Sequence, residues 1–312
     1  MTVSVILCSH NRAEHLEKTL QSLRDVKVPT DWTAELLLAD NASTDRTPAL
    51  ISSFEISQMQ VRGLREPTPG KSYALNRAIS EASGDVLLFT DDDVRFPPDW
   101  IEGMVRPILS GTADAVAGGV ELADEIQRQW MTPLTRAMLA STGRIDSDDP
   151  DRMVGANMAI ARHVFSKISG FDPELGPGRI GLGEDTLLSW QLREAGFRIE
   201  AAFDVVVRHC PDQDRLSREA WEDKAKRGGK SGAYLNYHWE HRQHSFLALC
   251  AGWMYYVCRL YWKKALSEKG DKEECPMEEF VLRRKIYRIR QYLRMHGKPR
   301  KYDRRGLLKR DA

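Results

Sequence analysis

A mostly parallel α/β sheet flanked by helices, continued by a helical C-terminal extension, is the architecture this sequence predicts. Three observations carry it. Short apolar runs alternate with amphipathic stretches over the first two-thirds of the chain, the pattern of strand–helix–strand units. Each apolar run stops abruptly at a polar cluster, as strands do when their carboxyl ends face a ligand site. From Asp212 onward the spacing turns helical and strand-type runs cease. The reading is a sheet domain over 1–210 and a helical, aromatic-rich, basic extension over 211–312.

The first run, Val3-Ser4-Val5-Ile6-Leu7-Cys8, reads as a buried strand and ends in Ser9-His10-Asn11-Arg12. Leu16, Leu20 and Leu23 then fall at helical spacing over 14–23. Glu35-Leu36-Leu37-Leu38-Ala39 is a second strand, ending in Asp40-Asn41-Ala42-Ser43-Thr44-Asp45. Ser43 or Thr44 caps the helix that carries Ala49, Leu50 and Phe54. A short third strand over 61–65 leads into the turn Pro67-Thr68-Pro69-Gly70-Lys71. A helix over 72–82 places Ala74, Leu75, Ala78 and Ile79 on one face, and Gly84 stops it before a strand at 86–89.

Beyond that strand, 100–109 predicts a helix, and 115–121 a strand whose Gly118 and Gly119 permit close backbone approach. Residues 144–152 read as a mobile acidic loop, 155–160 as a strand and 162–168 as a helix. The glycine-rich stretch 176–183 delivers Glu184-Asp185 to an amphipathic helix containing Leu187, Leu188, Leu192 and Ala195. Residues 199–208 supply one or two further strands, ending at His209.

The chain has 312 residues, 42% of them hydrophobic, which suits a globular protein with a substantial core. Net charge is +1, unevenly spread: 283–310 holds thirteen Lys or Arg against one acid, Asp303, so the remainder is acidic. A basic segment on an acidic body points to an anionic partner surface. The cysteines, Cys8, Cys210, Cys250, Cys258 and Cys275, lack C-x-x-C spacing and fit neither a zinc site nor a disulfide framework. A reducing compartment fits them best. The N-terminus opens directly into a strand without signal-peptide pattern, and the apolar-leaning run 245–258 is too short to span a bilayer. The expectation is a cytoplasmic protein.

The chemistry centres on Val86-Leu87-Leu88-Phe89-Thr90-Asp91-Asp92-Asp93-Val94, an apolar strand running into three carboxylates. Three adjacent acids repel one another unless protons or a cation intervene. A hard divalent ion, Mg²⁺ or Mn²⁺, is the simplest resolution, since it takes oxygen ligands and shares them with substrate phosphates; a solvated acidic turn is the plain alternative. No dinucleotide glycine fingerprint follows the first strand, and Gly70-Lys71-Ser72 lacks the leading glycine of a Walker loop, position 65 being Arg.

Four features in order, Ser9-His10-Asn11-Arg12, Asp40-Asn41-Ala42-Ser43-Thr44-Asp45, Asp91-Asp92-Asp93 and Gly183-Glu184-Asp185, resemble the inverting glycosyltransferases of family 2, with their GT-A fold, over residues 2–209. The resemblance implies a nucleotide-sugar donor, a divalent metal and one direct displacement at the anomeric carbon. It implies that Ser9, Asn11, Arg12 and Asp40 hold base and ribose. Asp91 and Asp93 match the outer members of the D-x-D element, with Asp92 between them on the donor side. Asp93 is the first choice of metal ligand, with Asp91 beside it and His209 as a further ligand or a structural histidine. Asp185 matches the catalytic base, and Glu184 orients the acceptor or supports it; their alternative is acidic charge at a helix start. Lys71 is a donor contact or a surface lysine, Asn76 a donor-site residue or an ordinary helix Asn, and Asn157 a sugar contact or a strand-end cap. His10 stands where the family often has an aromatic residue, which leaves the donor base open.

In the extension, Arg227-Gly228-Gly229-Lys230-Ser231-Gly232 reads as a diphosphate lid or a flexible connector. The stretch 234–262 is rich in Trp and Tyr beside Lys263 and Lys264, which suits a membrane interface or a helix packed on the catalytic domain or another subunit. With the basic tail 283–310 this suggests docking on an anionic membrane near a saccharide or lipid-linked acceptor; no nucleic-acid motif is present. The competing functions are a nucleotidyltransferase and a non-catalytic sugar-nucleotide or membrane-surface scaffold.

Overall fold

The computed structural model describes residues 1–266 and 277–310; Cys275 lies outside them. They pack as two compact units. One comprises Met1–Pro173 and Glu184–Pro211, the other Glu174–Gly183 and the described residues from Asp212 onward.

In the first unit the chain runs β1 (Thr2–Ser9), α1 (Ala13–Leu23), β2 (Thr33–Asn41), α2 (Thr47–Ser53), β3 (Gln60–Glu66), α3 (Lys71–Glu81) and β4 (Val86–Asp91). It continues through β5 (Val94–Arg95), α4 (Trp100–Leu109), β6 (Ala115–Leu122), α5 (Pro133–Met138), β7 (Asn157–Ala161), α6 (Glu184–Glu194) and β8 (Ile199–His209). The strands form one eight-stranded sheet in the order β3-β2-β1-β4-β7-β6-β8-β5. β3, β2, β1 and β4 are mutually parallel, as helical crossovers require. β7 is antiparallel to both β4 and β6.

The middles of β1, β2 and β4 are buried apolar runs, with Ile6, Leu36, Leu37, Leu87 and Leu88 fully buried, while buried Ser4 donates to Glu35 at 2.6 Å. Leu16, Leu20 and Leu23 of α1 complete the core beside them, as their spacing predicts. The parallel register sets Ser9 opposite Asp40 and Cys8 opposite Asp91, so the polar strand ends meet at one edge. At Gly118 and Gly119 the β6–β8 register shifts, and a Cβ there would fall 2.2 Å from Asn157 Nδ2 and 2.6 Å from the Phe203 carbonyl. Close approach is the reason for both glycines.

Two details differ from the sequence reading. Residues 162–168 form only a short 3₁₀ turn (Arg162–Ser166), whose Arg162 donates to the carbonyls of Ala82 and Gly84 and spends its side chain on the sheet edge. The acidic loop 144–152 has no regular structure but is anchored, Arg193 gripping both oxygens of Asp149 at 2.7 and 3.2 Å.

The second unit is built from α7 (Arg218–Tyr234), α8 (Phe246–Leu266) and α9 (Met277–Met295). Arg218 pairs with Glu279 and Arg283 with Glu222, and the backbone of Arg284 and Arg288 lies against Gly229. These contacts rise together along both helices, so α7 and α9 are parallel. Lys263 meets Glu278, Tyr256 meets Lys285 and Phe246 meets His296, an opposite order that makes α8 antiparallel to α9.

The stretch 227–232 is therefore neither lid nor connector: it is the middle of α7. A Cβ at Gly229 would sit 2.4 Å from the Arg284 carbonyl, so this glycine lets two helix backbones touch. The basic segment is not a free tail either. After α9 it folds back, with Tyr237 donating to the Lys298 carbonyl, Trp239 to that of Gly306, and Tyr302 buried. Lys301 pairs with Glu174, Arg305 with Glu240 and Arg310 with Asp303. Among the described residues no helix is long and apolar enough to cross a membrane.

Candidate active site

The polar ends of β1, β2 and β4 converge on the acid triplet, and the first finding is what neutralises it. Lys71, the first residue of α3, pairs with Asp91. Arg12 places one guanidinium nitrogen 2.8 Å from both Asp92 and Asp93. Protein cations therefore take up part of the repulsion that the sequence alone assigns to a metal. Burial works against the Lys71 charge, but Asp91 and Glu184 outweigh it and hold its pKa above the ordinary lysine value.

The three acids have separate surroundings. Asp91 keeps a partly exposed carboxylate beside Lys71. Asp92 turns inward, accepting from Ser9 Oγ at 2.6 Å and from Arg12, while its carbonyl accepts from Thr19. Burial pushes its pKa up to about 6, with Arg12 opposing and Asp93 adding to the rise. Ser9 and Asp92 thus buttress one another inside the fold. Asp93 is buried, and its Oδ1 lies 3.3 Å from Nε2 of buried His209. The pairing of β5 with β8, Val94 opposite His209, sets this contact.

His209 Nδ1 donates to the Leu139 carbonyl at 2.9 Å. A neutral ring so fixed turns its Nε2 lone pair toward a carboxylate oxygen, a contact that needs a proton or a metal ion between the two. Among the described residues no group of three or more His, Cys, Asp or Glu is arranged around a metal position. The donor set is a carboxylate–imidazole pair, sufficient for an ion that takes most of its shell from phosphates and water.

Asp40 caps its own loop, Oδ1 accepting from the Ser43 amide at 3.0 Å, while buried Oδ2 has no hydrogen-bond partner among the described residues and Arg65 stands 3.9 Å away. An orphaned carboxylate oxygen at a strand end is where a ligand hydroxyl or amide would bind. Asn11, at φ +51, accepts through Oδ1 from the amides of Thr44 and Asp45 and so ties the first loop to the second. His10 Nδ1 donates to the Asn41 carbonyl.

Two of the residues expected near the donor are occupied elsewhere. Asn157 is fully buried; Nδ2 donates to the carbonyls of Gly119 and Val205, and Oδ1 accepts from Trp100 Nε1 at 2.8 Å. Its amide satisfies the bulged β6–β8 edge. Asn76 is spent on the Phe171 backbone, donating to its carbonyl at 2.7 Å and accepting from its amide at 2.9 Å.

Glu184 and Asp185 open α6 after Gly183 at φ +93, a conformation that suits glycine. Burial pushes Glu184 up to about 7, Asp185 adding to the rise and Lys71 opposing it. Asp185 is half-buried, Oδ1 accepting from the Thr186 amide at 2.7 Å and Oδ2 facing the Gly155 amide at 3.4 Å. A Cβ on Gly155 would stand 3.7 Å from Lys71 Nζ. Gly155 thus joins the α6 carboxylates to the Lys71–Asp91 pair. Its place in the site is missed by sequence reasoning, which reads it as the start of a strand.

These acids and cations form one polar site at the carboxyl ends of the parallel strands of an α/β sheet. The glycosyl transferase family 2 profile matches residues 4–168, and the chain belongs to that family of glycosyltransferases. It is 26% identical over 206 residues to the succinoglycan biosynthesis protein ExoA of Rhizobium meliloti, covering 62% of this chain and 59% of that protein. It is 27% identical over 210 residues to glycosyltransferase AglE of Haloferax volcanii, covering 66% of each. The match to the first of these relatives thus spans under two-thirds of its length. Among solved structures, the mannosyltransferase PcManGT of Pyrobaculum calidifontis, in complex with GDP-mannose and Mn²⁺, superposes with a TM-score of 0.56 at 18% identity, covering 94% of this chain and 70% of that one. S. aureus TarS 1–349 superposes with a TM-score of 0.52 at 18% identity, covering 73% and 65%. Both carry the GT-A fold expected here.

Proposed function

We propose that this glycosyltransferase moves a hexosyl group from a nucleoside-diphosphate sugar to an acceptor hydroxyl, inverting the anomeric centre, with a saccharide or lipid-linked precursor as acceptor. The observation that carries this is the meeting of the α6 carboxylates with the Lys71–Asp91 pair through Gly155. A hydroxyl is a poor nucleophile, and Asp185, half-buried with an oxygen at the site, takes its proton as it attacks. Glu184, whose carboxyl pKa is raised by burial to about 7, positions the acceptor. Asp40 Oδ2 accepts from the base or ribose, and Lys71 lies beside the departing diphosphate while Asp91 fixes its place.

Asp93 and His209 fit a divalent ion, and imidazole in the set favours Mn²⁺ over the oxygen-seeking Mg²⁺. When bound, the ion stabilises the charge that accumulates on the leaving diphosphate. Support for the donor class comes from PcManGT, whose complex holds GDP-mannose and Mn²⁺. The test is proton NMR of the product formed from an α-linked donor. A β-linked product is expected; an α-linked product would overturn direct displacement.

A specific observation also favours a membrane-surface location. α8 presents an uncharged stripe to solvent, Leu247, Met254, Tyr255, Tyr261 and Trp262, at helical spacing, with Leu247 77% and Trp262 69% exposed. Arg259 and Lys285 flank it, the aromatic-and-cationic pattern of an interfacial helix on an anionic leaflet. This stripe, with the tail folded back, is the docking element. Flotation with phosphatidylglycerol vesicles tests it: Leu247→Asp/Trp262→Asp should abolish co-flotation, and equal flotation by the variant would refute it.

A further inference from the structure

On α9 two arginines one turn apart lie against the glycines of α7 with no acid partner among the described residues. Arg218 and Arg283 pair with Glu222 and Glu279, and Arg227 pairs with Asp223. Arg284 and Arg288, neighbours on the same α9, are exposed and have no carboxylate partner among the described residues. They lie one turn apart on one helix face, about 6 Å along its axis.

The surface beneath them is bare. A Cβ on Gly228 would stand 3.5 Å from Arg284 Nε, and one on Gly232 3.7 Å from Arg288 Nε. Gly229 is required by backbone contact, but no backbone approaches Gly228 or Gly232 so closely. Glycine is among the poorest helix formers. α7 nonetheless carries two at the places where the guanidinium groups rest. Desolvation holds the pKa of both arginines below the ordinary value, and Arg284 and Arg242 lower that of Arg288 further. Like charges gathered without a counter-ion mark a site that an anion would relieve.

We propose that Arg284 and Arg288, lying over the glycine face of α7 with Arg242 nearby, form a binding site for a phosphate-ester oxyanion. Two guanidinium forks side by side offer paired N–H donors that match phosphate oxygens, which a lysine pair would not. Its residues all belong to the helical unit, and it does not depend on the donor reading. The phosphate can belong to a soluble diphosphate group or to a lipid headgroup, and the experiment separates them.

Calorimetry of the full chain with inorganic pyrophosphate in excess EDTA is one arm, and flotation with phosphatidylglycerol against phosphatidylcholine vesicles the other. Arg284→Gln/Arg288→Gln should weaken one of these at least tenfold. Arg284→Lys/Arg288→Lys, which keeps charge but loses the fork, should weaken it less. Gly232→Asp leaves both arginines in place and supplies an internal carboxylate; it should weaken binding as the double Gln variant does, so a folding defect in the latter does not decide the matter. Loss confined to the pyrophosphate arm names a soluble diphosphate, and loss confined to vesicles a lipid headgroup. Unchanged affinity in both arms for the double Gln and Gly232→Asp proteins, or no binding by wild type in either, would overturn the site. Metal-dependent donor binding, measured on the same proteins, should be unaltered, so failure here is distinguishable from failure of the donor site.

Discussion

At the ends of β1 and β4, three carboxylates lie against two cations, Lys71 and Arg12, whereas along α9 Arg284 and Arg288 lie side by side with no acid. The same chain thus keeps negative charge in excess in one unit and positive charge in the other. In the sheet unit Asp92 and Asp93 of the triplet are buried beside Arg12 at the end of β4. In the helical unit the arginine pair is exposed on a helix face. The two excesses nearly cancel, so a net charge of +1 conceals both.

The largest expected effect that would break this contrast lies in the sheet unit. Asp185→Asn removes the proposed base and should reduce kcat by about 10²- to 10⁴-fold. Donor affinity by calorimetry should persist; turnover near wild type would remove Asp185 from the chemistry. Arg12→Ala leaves Asp92 and Asp93 buried without their guanidinium, and loss of one partner of a buried pair costs about 3–5 kcal/mol. Urea unfolding measures it, and a loss below about 1 kcal/mol would show that the triplet does not need Arg12. In the helical unit, Gly229→Ala forces a methyl group against the Arg284 carbonyl and should cost about 1–3 kcal/mol by the same measurement. An unchanged midpoint would mean that α7 and α9 do not pack as closely as described.

The smallest effect is in pH dependence. An acid whose native pKa is raised keeps its proton in the folded protein after the unfolded chain has released it. Glu184 therefore removes stability as pH rises from 4.5 to about 7 and adds no further change above that range. Glu184→Gln should flatten the fall of Tm across that window, and a slope identical to wild type would show that Glu184 is ionised in the folded protein.

The strands and the acid triplet were legible because buried parallel strands carry continuous apolar runs and their ends carry polar clusters. Asp40 and Asp91 fall at the ends of the two strands that flank β1, and Asp93 meets His209 at 3.3 Å. Asn157 and Asn76 were not legible, since an amide spent on backbone carbonyls looks the same in sequence as one facing a ligand. Arg12 carries no signal that it bridges two acids eighty residues away. The glycines of α7 misled, because Gly-Gly beside Lys reads as a loop, whereas Gly229 serves the close approach of the α9 backbone. The aromatic stretch 234–262 also divides in a way that composition conceals: Tyr234, Tyr237 and Trp239 are buried, while Tyr255, Tyr261 and Trp262 are exposed.

The most direct test of the central claim is calorimetric titration of the full chain with UDP-, GDP- and dTDP-sugars, each with Mn²⁺, Mg²⁺ or chelator. One nucleotide series is expected to bind with Mn²⁺, to weaken at least tenfold in chelator, and to lose that metal dependence in Asp93→Ala. Binding indifferent to metal, or no binding by any series to folded protein, would contradict the account.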